Sequence, residues 1–259
     1  MFAEIRYKMK KHQFLFEELV KRDFKQKYKR TVLGMGWSIL SPLLTLFVLN
    51  IIFSYFFGQR IPHYPIYLFC GNLLFSYFNE ATNGGMNALI ANAGIFSKVN
   101  VPKYLFVFSK NISSLVNFLL TLVIFFVFVA ANGIPFTPRF LCLIYPIGCL
   151  ILFNLGMGLI LSALFVFFRD LGYLYSILTM LLMYGSAIFY DVSTMPQKIQ
   201  GLFLLNPIYV YIKYFRIIVL HDQIPSLSYH LLCAFYALAV LCIGGFIYKK
   251  YNHKFLYYV

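Results

Sequence analysis

The chain has 259 residues, of which 61% are hydrophobic and 12% charged, with a formal net charge of +14. A soluble globular domain carries about twice that charged fraction, so the composition excludes an ordinary soluble fold and leaves a membrane protein. The cations gather at chain ends and polar joints beside apolar runs, which favours anionic lipid headgroups over nucleic acid as their counterpart, at about 1 kcal/mol for each basic residue near the surface.

The first predicted element is HQFLFEELVKRDFKQKYKR, residues 12–30, preceded by charged residues that lack the apolar core of a cleavable leader. Phe16, Val20, Phe24 and Tyr28 recur every fourth position, and Leu15 and Leu19 widen the stripe. This period predicts an amphipathic interfacial helix over 12–30, its apolar face turned to the bilayer or to the protein's own helices, with Glu17–Lys21 and Glu18–Arg22 as pairs on the other side. Gly34-Met35-Gly36 is expected to turn the chain upright. Trp37 marks the membrane interface, and Pro42 kinks the first span.

Apolar runs then follow at 37–58, 64–82, 105–131, 140–168, 171–190 and 228–248, each close to or above the length of about 20 residues that crosses a bilayer. The expectation is an all-α integral membrane protein, one domain over 1–259, with six transmembrane helices. With both termini cytoplasmic, every Lys and Arg lies inside except Arg60, Arg139, Lys198, Lys213 and Arg216, the bias that positive-inside orientation demands. GLFLLNPIYVYIKYFRIIVL, 201–220, is apolar enough for a further span. Asn206-Pro207 interrupts it, however, and Lys213 and Arg216 fall near its middle. The prediction is a re-entrant pair of short helices near 195–204 and 208–220, dipping in from outside.

Chemistry-bearing clusters are scarce. The five cysteines lie inside apolar runs without metal-ligand spacing, and the five histidines are scattered, so neither a metal site nor a catalytic constellation is expected. No G-x-x-x-x-G-K-[ST] stretch occurs, so ATP hydrolysis by a phosphate-binding loop must belong to another polypeptide. Asn154, Gly158 and Ser162 form a small-residue ridge suited to helix packing. Glu80 is expected to reach the interface, to pair with a cation or to face a polar path. Arg169-Asp170 is expected to form a rim ion pair, within one chain or between two.

The run Arg22, Asp23, Lys25, Tyr28, Thr31, Leu33, Gly34, Trp37, then Ser41-Pro42, resembles the start of type-2 ABC transporter permeases of the polysaccharide-export branch. IFSKVNVPKYLF (95–106), FFRDLGYL (167–174) and MPQKI…LLNPIYVYI (195–212) agree in order. The resemblance implies a homodimer joined by two copies of an ABC ATP-binding subunit that holds ATP and Mg. It implies outward export of a lipid-linked polysaccharide of O-antigen, capsule or teichoic acid type across the bacterial cytoplasmic membrane. It also implies ATPase coupling through the N-terminal helix and Ile95, Phe96, Lys98, Pro102 and Lys103, and an external gate at Pro196, Asn206 and Pro207. The residues of the 95–103 stretch read equally as an ordinary basic connector.

A sugar chain needs a wet, aromatic-bordered route. Spacing offers Ser38, Ser41 and Thr45 in the first span, Phe75 and Phe78 in the second, and Tyr173 and Tyr184 in the fifth. Packing and interfacial anchoring explain the same residues. Lys29 and Arg30 either enforce topology or meet the anionic headgroup of a substrate. Rival readings are an exporter of a small lipophilic compound or drug, an ATP-independent flippase for lipid-linked sugars, and a membrane enzyme. The flippase lacks mid-span ionisable groups, and the enzyme lacks a catalytic cluster.

Overall fold

In hydrocarbon a backbone has no water to bond, so each apolar run satisfies its own N–H and C=O groups as a helix. The computed structural model describes residues 13–28, 31, 33–58, 61–99 and 101–258, without the side chains of 26–28, 35 and 257. Lys29 and Arg30 therefore lie outside the described residues. Among those described the chain is all-α, without a strand. The helices are α1 (Gln13–Tyr28), α2 (Trp37–Phe57), α3 (Tyr64–Ala91), α4 (Ala93–Phe96), α5 (Tyr104–Ala131) and α6 (Ile144–Phe167). They continue with α7 (Leu171–Gly185), α8 (Gln197–Phe203), α9 (Pro207–His221), α10 (Leu227–Tyr251) and α11 (Phe255–Tyr258).

Among the described residues four helices are long and apolar enough to cross a membrane: α2, α5, α6 with its leading turn from Pro138, and α10. The helices α8 and α9 are bent by 106° at the Asn206-Pro207 break, and α7 is a shorter apolar helix of 15 residues. The longest departure from expectation is α3, which runs on to Ala91 instead of ending near 82. Its Asn72, Asn79, Glu80, Asn83 and Asn87 would be costly against lipid. Packing of α2, α5, α6 and α9 around this helix partly covers Asn72, Asn79, Glu80 and Asn83, while Asn87 stays exposed and donates to Asn83 O at 2.9 Å. The run expected at 171–190 is helical only to Gly185; what ends it belongs to the site below.

Backbone contact holds the centre together, since apolar side chains gain little from leaving lipid that is equally apolar. The helix α6 is clasped between α3 and α10. A Cβ on Gly156 would stand 2.6 Å from Leu241 N, and one on Gly244 would stand 2.6 Å from Gly156 O. On the other side a Cβ on Gly85 would meet Gly158 Cα at 2.8 Å. The small-residue ridge read at 154–162 is therefore a packing surface, with Asn154 and Ser162 fully enclosed in it. Gly156→Val is expected to push α10 off α6 at an overpacking cost of about 1–3 kcal/mol. Heating purified protein and following its monodisperse elution reads this as earlier aggregation, whereas Gly245→Ala, where added atoms meet open space, should leave the profile unchanged.

The amphipathic helix α1 turns its apolar face to the protein. Leu19 is buried among Ala88, Leu89, Phe106 and Val107 at the ends of α3 and α5. Gly34, at φ +52°, occupies the left-handed region that glycine reaches without a Cβ clash, and it begins the turn into α2. At the chain's other end α11 folds back, burying Phe255 against Tyr248 and Phe167.

Candidate functional site

Among the described residues, three polar assemblies bear on function. The first is a cavity of about 430 Å³ between α2, α3 and α5. The first-span stripe contributes Ser38, Ser41 and Thr45, while α3 adds Asn72, Ser76, Tyr77 and Glu80 and α5 adds Ser114, Asn117 and Thr121. Trp37, Phe69 and Phe118 border it. Glu80 accepts a hydrogen bond from Asn117 Nδ2 at 2.6 Å, and below it Tyr77 donates to Asn111 Oδ1 at 3.2 Å. Hydroxyls, amides and a carboxylate at this depth persist only when paired or hydrated. Their convergence makes a hydrophilic chamber with aromatic edges.

The sequence reading found the α2 side of this chamber and missed most of the opposite walls. The signal was present: Asn72, Ser76 and Glu80 repeat at four, and Ser114, Asn117 and Thr121 at three and four, so each set shares one helix face. The other lining candidates sit elsewhere. Phe75 and Phe78 are buried in the main core, Phe78 beside the ring of Phe153 at 6.1 Å. Tyr173 and Tyr184 are exposed on α7 with Ile177 and Met180, Tyr173 at 76%.

The second assembly stands at the N-terminal end of α3, where α7 stops. Residues 186–190 leave the helix, Ala187 takes φ +51°, and their carbonyls need donors. Side chains supply them. Asn206 Nδ2 donates to Gly185 O and Ser186 Oγ, both at 3.0 Å, while its Oδ1 caps α9 by accepting from Ile208 N. Arg216 donates from Nη1 to Ala187 O at 2.8 Å and from Nη2 to Ile188 O at 2.8 Å. It also donates from Nε and Nη2 to Tyr67 O. Tyr64 and Tyr67 donate their hydroxyls to Phe189 O and Tyr190 O. Arg216, counted in the sequence among the cations of the outer side, is 3% exposed and lies 3.4 Å from the centroid of the Tyr67 ring. Of the gate candidates, Asn206 is thus a bridge, Pro207 is the first residue of α9, and Pro196 precedes α8.

The third assembly joins α1 to the bundle. The Asp23 side chain, 1% exposed, receives Arg22 at 2.8 Å, Lys110 at 3.0 Å and the Ser109 hydroxyl at 3.2 Å. Arg22 continues to Asn92 Oδ1 at 2.8 Å. The expected Glu18–Arg22 pair is therefore replaced by this cluster, and Glu18 meets Lys21 at 2.9 Å instead. Beside it lies the α4 stretch. Phe96 is buried, while Lys98 and Val99 face outward and Ile95 and Pro102 are half-buried. Lys103 donates to Asn252 O at 2.7 Å, and burial lowers its pKa. Among the described residues Arg169 forms no ion pair with Asp170; it stands 5.8 Å from the Phe165 ring, and Asp170 occupies the N-cap position of α7.

Comparison with known proteins agrees along the length of the chain. A family model described as ABC-2 type transporter matches residues 15–220. The O-antigen export system permease protein RfbA of Myxococcus xanthus is 28% identical over 245 residues, covering 93% of this chain and 94% of its own. The polysialic acid transport protein KpsM of Escherichia coli is 26% identical over 246 residues, covering 93% and 94%. The capsule polysaccharide export inner-membrane protein CtrC of Neisseria meningitidis serogroup A is 22% identical over 240 residues, covering 90% and 89%.

Proposed function

We propose a function from one premise: the chain belongs to the ABC-2 type transporter family. It is the transmembrane permease subunit of an ATP-driven exporter that moves a lipid-linked polysaccharide, of O-antigen or capsule type, outward across the bacterial cytoplasmic membrane. Two copies form the conduit, and two copies of an ABC ATP-binding subunit, with ATP and Mg, drive it from the cytoplasmic side. In this reading both termini are cytoplasmic, six helices span the membrane, and α8 and α9 enter it from outside and return. The cluster at Asp23 and the exposed Lys98 and Val99 face the ATP-binding partner, and Lys29 and Arg30 receive the anionic carrier headgroup.

The chamber between α2, α3 and α5 carries the proposal, supported by the export functions for which the relatives are named. Sugars present hydroxyls that exchange bonds with serine, threonine and amide side chains, together with apolar ring faces that slide over aromatics. A lipophilic drug would call for the reverse, an apolar pocket with few polar groups, so the rival exporter reading fits the lining less well. The double variant Ser41→Leu, Thr45→Leu fills the α2 wall with hydrocarbon. Surface polysaccharide in cells lacking the native permease is expected to fall about tenfold, equivalent to about 1.4 kcal/mol of barrier, with membrane level and partner ATP turnover retained. Unchanged export at equal expression would remove the chamber from the path.

A further inference from the structure

A second cavity, again of about 430 Å³, opens where the turn before α3 meets α9 and the 191–193 segment. Its walls hold an unusual set of groups for an apolar bundle. Lys213 is half-buried there and makes no hydrogen bond or ion pair among the described residues. Arg216, one turn along α9, also lines the cavity. Four of its five N–H groups go to carbonyls, and one on Nη1 is left over. Tyr209 brings a hydroxyl with no partner among the described residues, and His63 and His221 stand at the exposed rim.

One carboxylate, Asp191, opposes this cationic character. Its oxygens are already committed, since Oδ1 accepts from Ser193 N at 3.0 Å and Oδ2 from the Ser193 hydroxyl at 2.5 Å. Burial alone would raise its pKa. The two Ser193 hydrogen bonds and the positive charges of Lys213 and Arg216 outweigh that and hold it below the usual carboxylate range. Two cations therefore face one engaged anion, an excess of charged donors that suits a bound oxyanion.

We infer that this cavity is a binding site for a phosphate-type oxyanion, held by Lys213 with the Tyr209 hydroxyl and the rim histidines. The inference rests on the proposed topology only in placing the site at the outer membrane face. Two sources share the chemistry, the phosphate of a delivered carrier lipid and the headgroup of an anionic phospholipid.

The test uses the full chain in nanodiscs of phosphatidylcholine, titrated with inorganic pyrophosphate and followed by calorimetry. Saturable binding is expected. Lys213→Gln should weaken it about tenfold, the worth of one charge-assisted hydrogen bond, and Lys213→Arg should retain it. Circular dichroism and monodisperse elution check that the variants fold. Absence of saturable binding, or equal affinity in the wild type and Lys213→Gln, overturns the site. Repeating the titration with phosphatidylglycerol in the nanodisc separates the sources. Suppressed binding assigns the cavity to membrane phospholipid, and undiminished binding assigns it to the carrier phosphate. No export enters this assay, so failure of the proposed function leaves its outcome intact.

Discussion

Arg216→Ala is expected to yield almost no monodisperse protein after extraction, whereas Lys213→Ala, one turn away on the same helix, yields wild-type amounts. The difference follows from partners. Arg216 is 3% exposed and supplies donors to carbonyls of Tyr67, Ala187 and Ile188; Lys213 makes no such bond. Removing the guanidinium strands three buried acceptors, each costing about 1–3 kcal/mol, against a total stability of roughly 5–15 kcal/mol. A void opens as well, because Gly71 lies so close that a Cβ there would stand 2.9 Å from Arg216 Nη2. Ala187 would then hold its left-handed φ without the bond that fixes it, at about 1–2 kcal/mol of backbone strain. Arg216→Lys should fail only part-way, since an ammonium lacks the planar fork that reaches three carbonyls. Fluorescence-detected elution before and after a heating series measures all three variants. A wild-type profile for Arg216→Ala would show that the bonds to residues 187 and 188 do not hold the end of α7.

The same residue shows where sequence reasoning stops. Lys213 and Arg216 were legible as charges that forbid a simple span across 201–220, and the chain does break at Asn206-Pro207 with a bend of 106°. What no local pattern could supply is the identity of Arg216's partners, because they are backbone carbonyls of α3 and of the segment after α7, far away along the chain. The early end of α7 was hidden for the same reason. Residues 186–190 are apolar enough to continue a helix, and they leave it because Asn206, Arg216, Tyr64 and Tyr67 converge on their carbonyls. Ser38, Ser41 and Thr45 were legible as a polar stripe, since period alone defines a helix face. Which helices the stripe would oppose depends on packing, and so the fold alone decided among the three readings open for Glu80 and brought Asn117 to it. Phe75 and Phe78 share that limit, as an aromatic on a spanning helix reads alike whether it lines a path or fills a core.

Asp23 offers the opposite balance, a buried charge whose loss the fold should survive. Its carboxylate collects Arg22, Lys110 and Ser109, but the two cations are 40% and 24% exposed. Water therefore takes over part of their solvation when the carboxylate is removed, and the cost falls to about 1–3 kcal/mol. That is too little to unfold the bundle and comparable to what holds a short helix on its surface. Asp23→Ala is therefore expected to free α1 from α5 while the spanning helices remain assembled, read as protease cleavage within 13–28 in otherwise intact protein. Because α1 is where the proposed ATP-binding partner would push, export should drop about tenfold or more while the partner's ATP hydrolysis persists, so polymer moved per ATP falls. Lys110→Asp alone should do the same by placing two carboxylates together. Exchanging the charges, Asp23→Lys with Lys110→Asp, re-forms the pair across the helices and should restore a large part of both protection and polymer moved per ATP. Non-additive rescue of this kind is the signature of a direct interaction. A double variant no better than the worse single one would mean that Asp23 acts through some contact other than Lys110, and the junction would lose its role as the tie between α1 and the bundle.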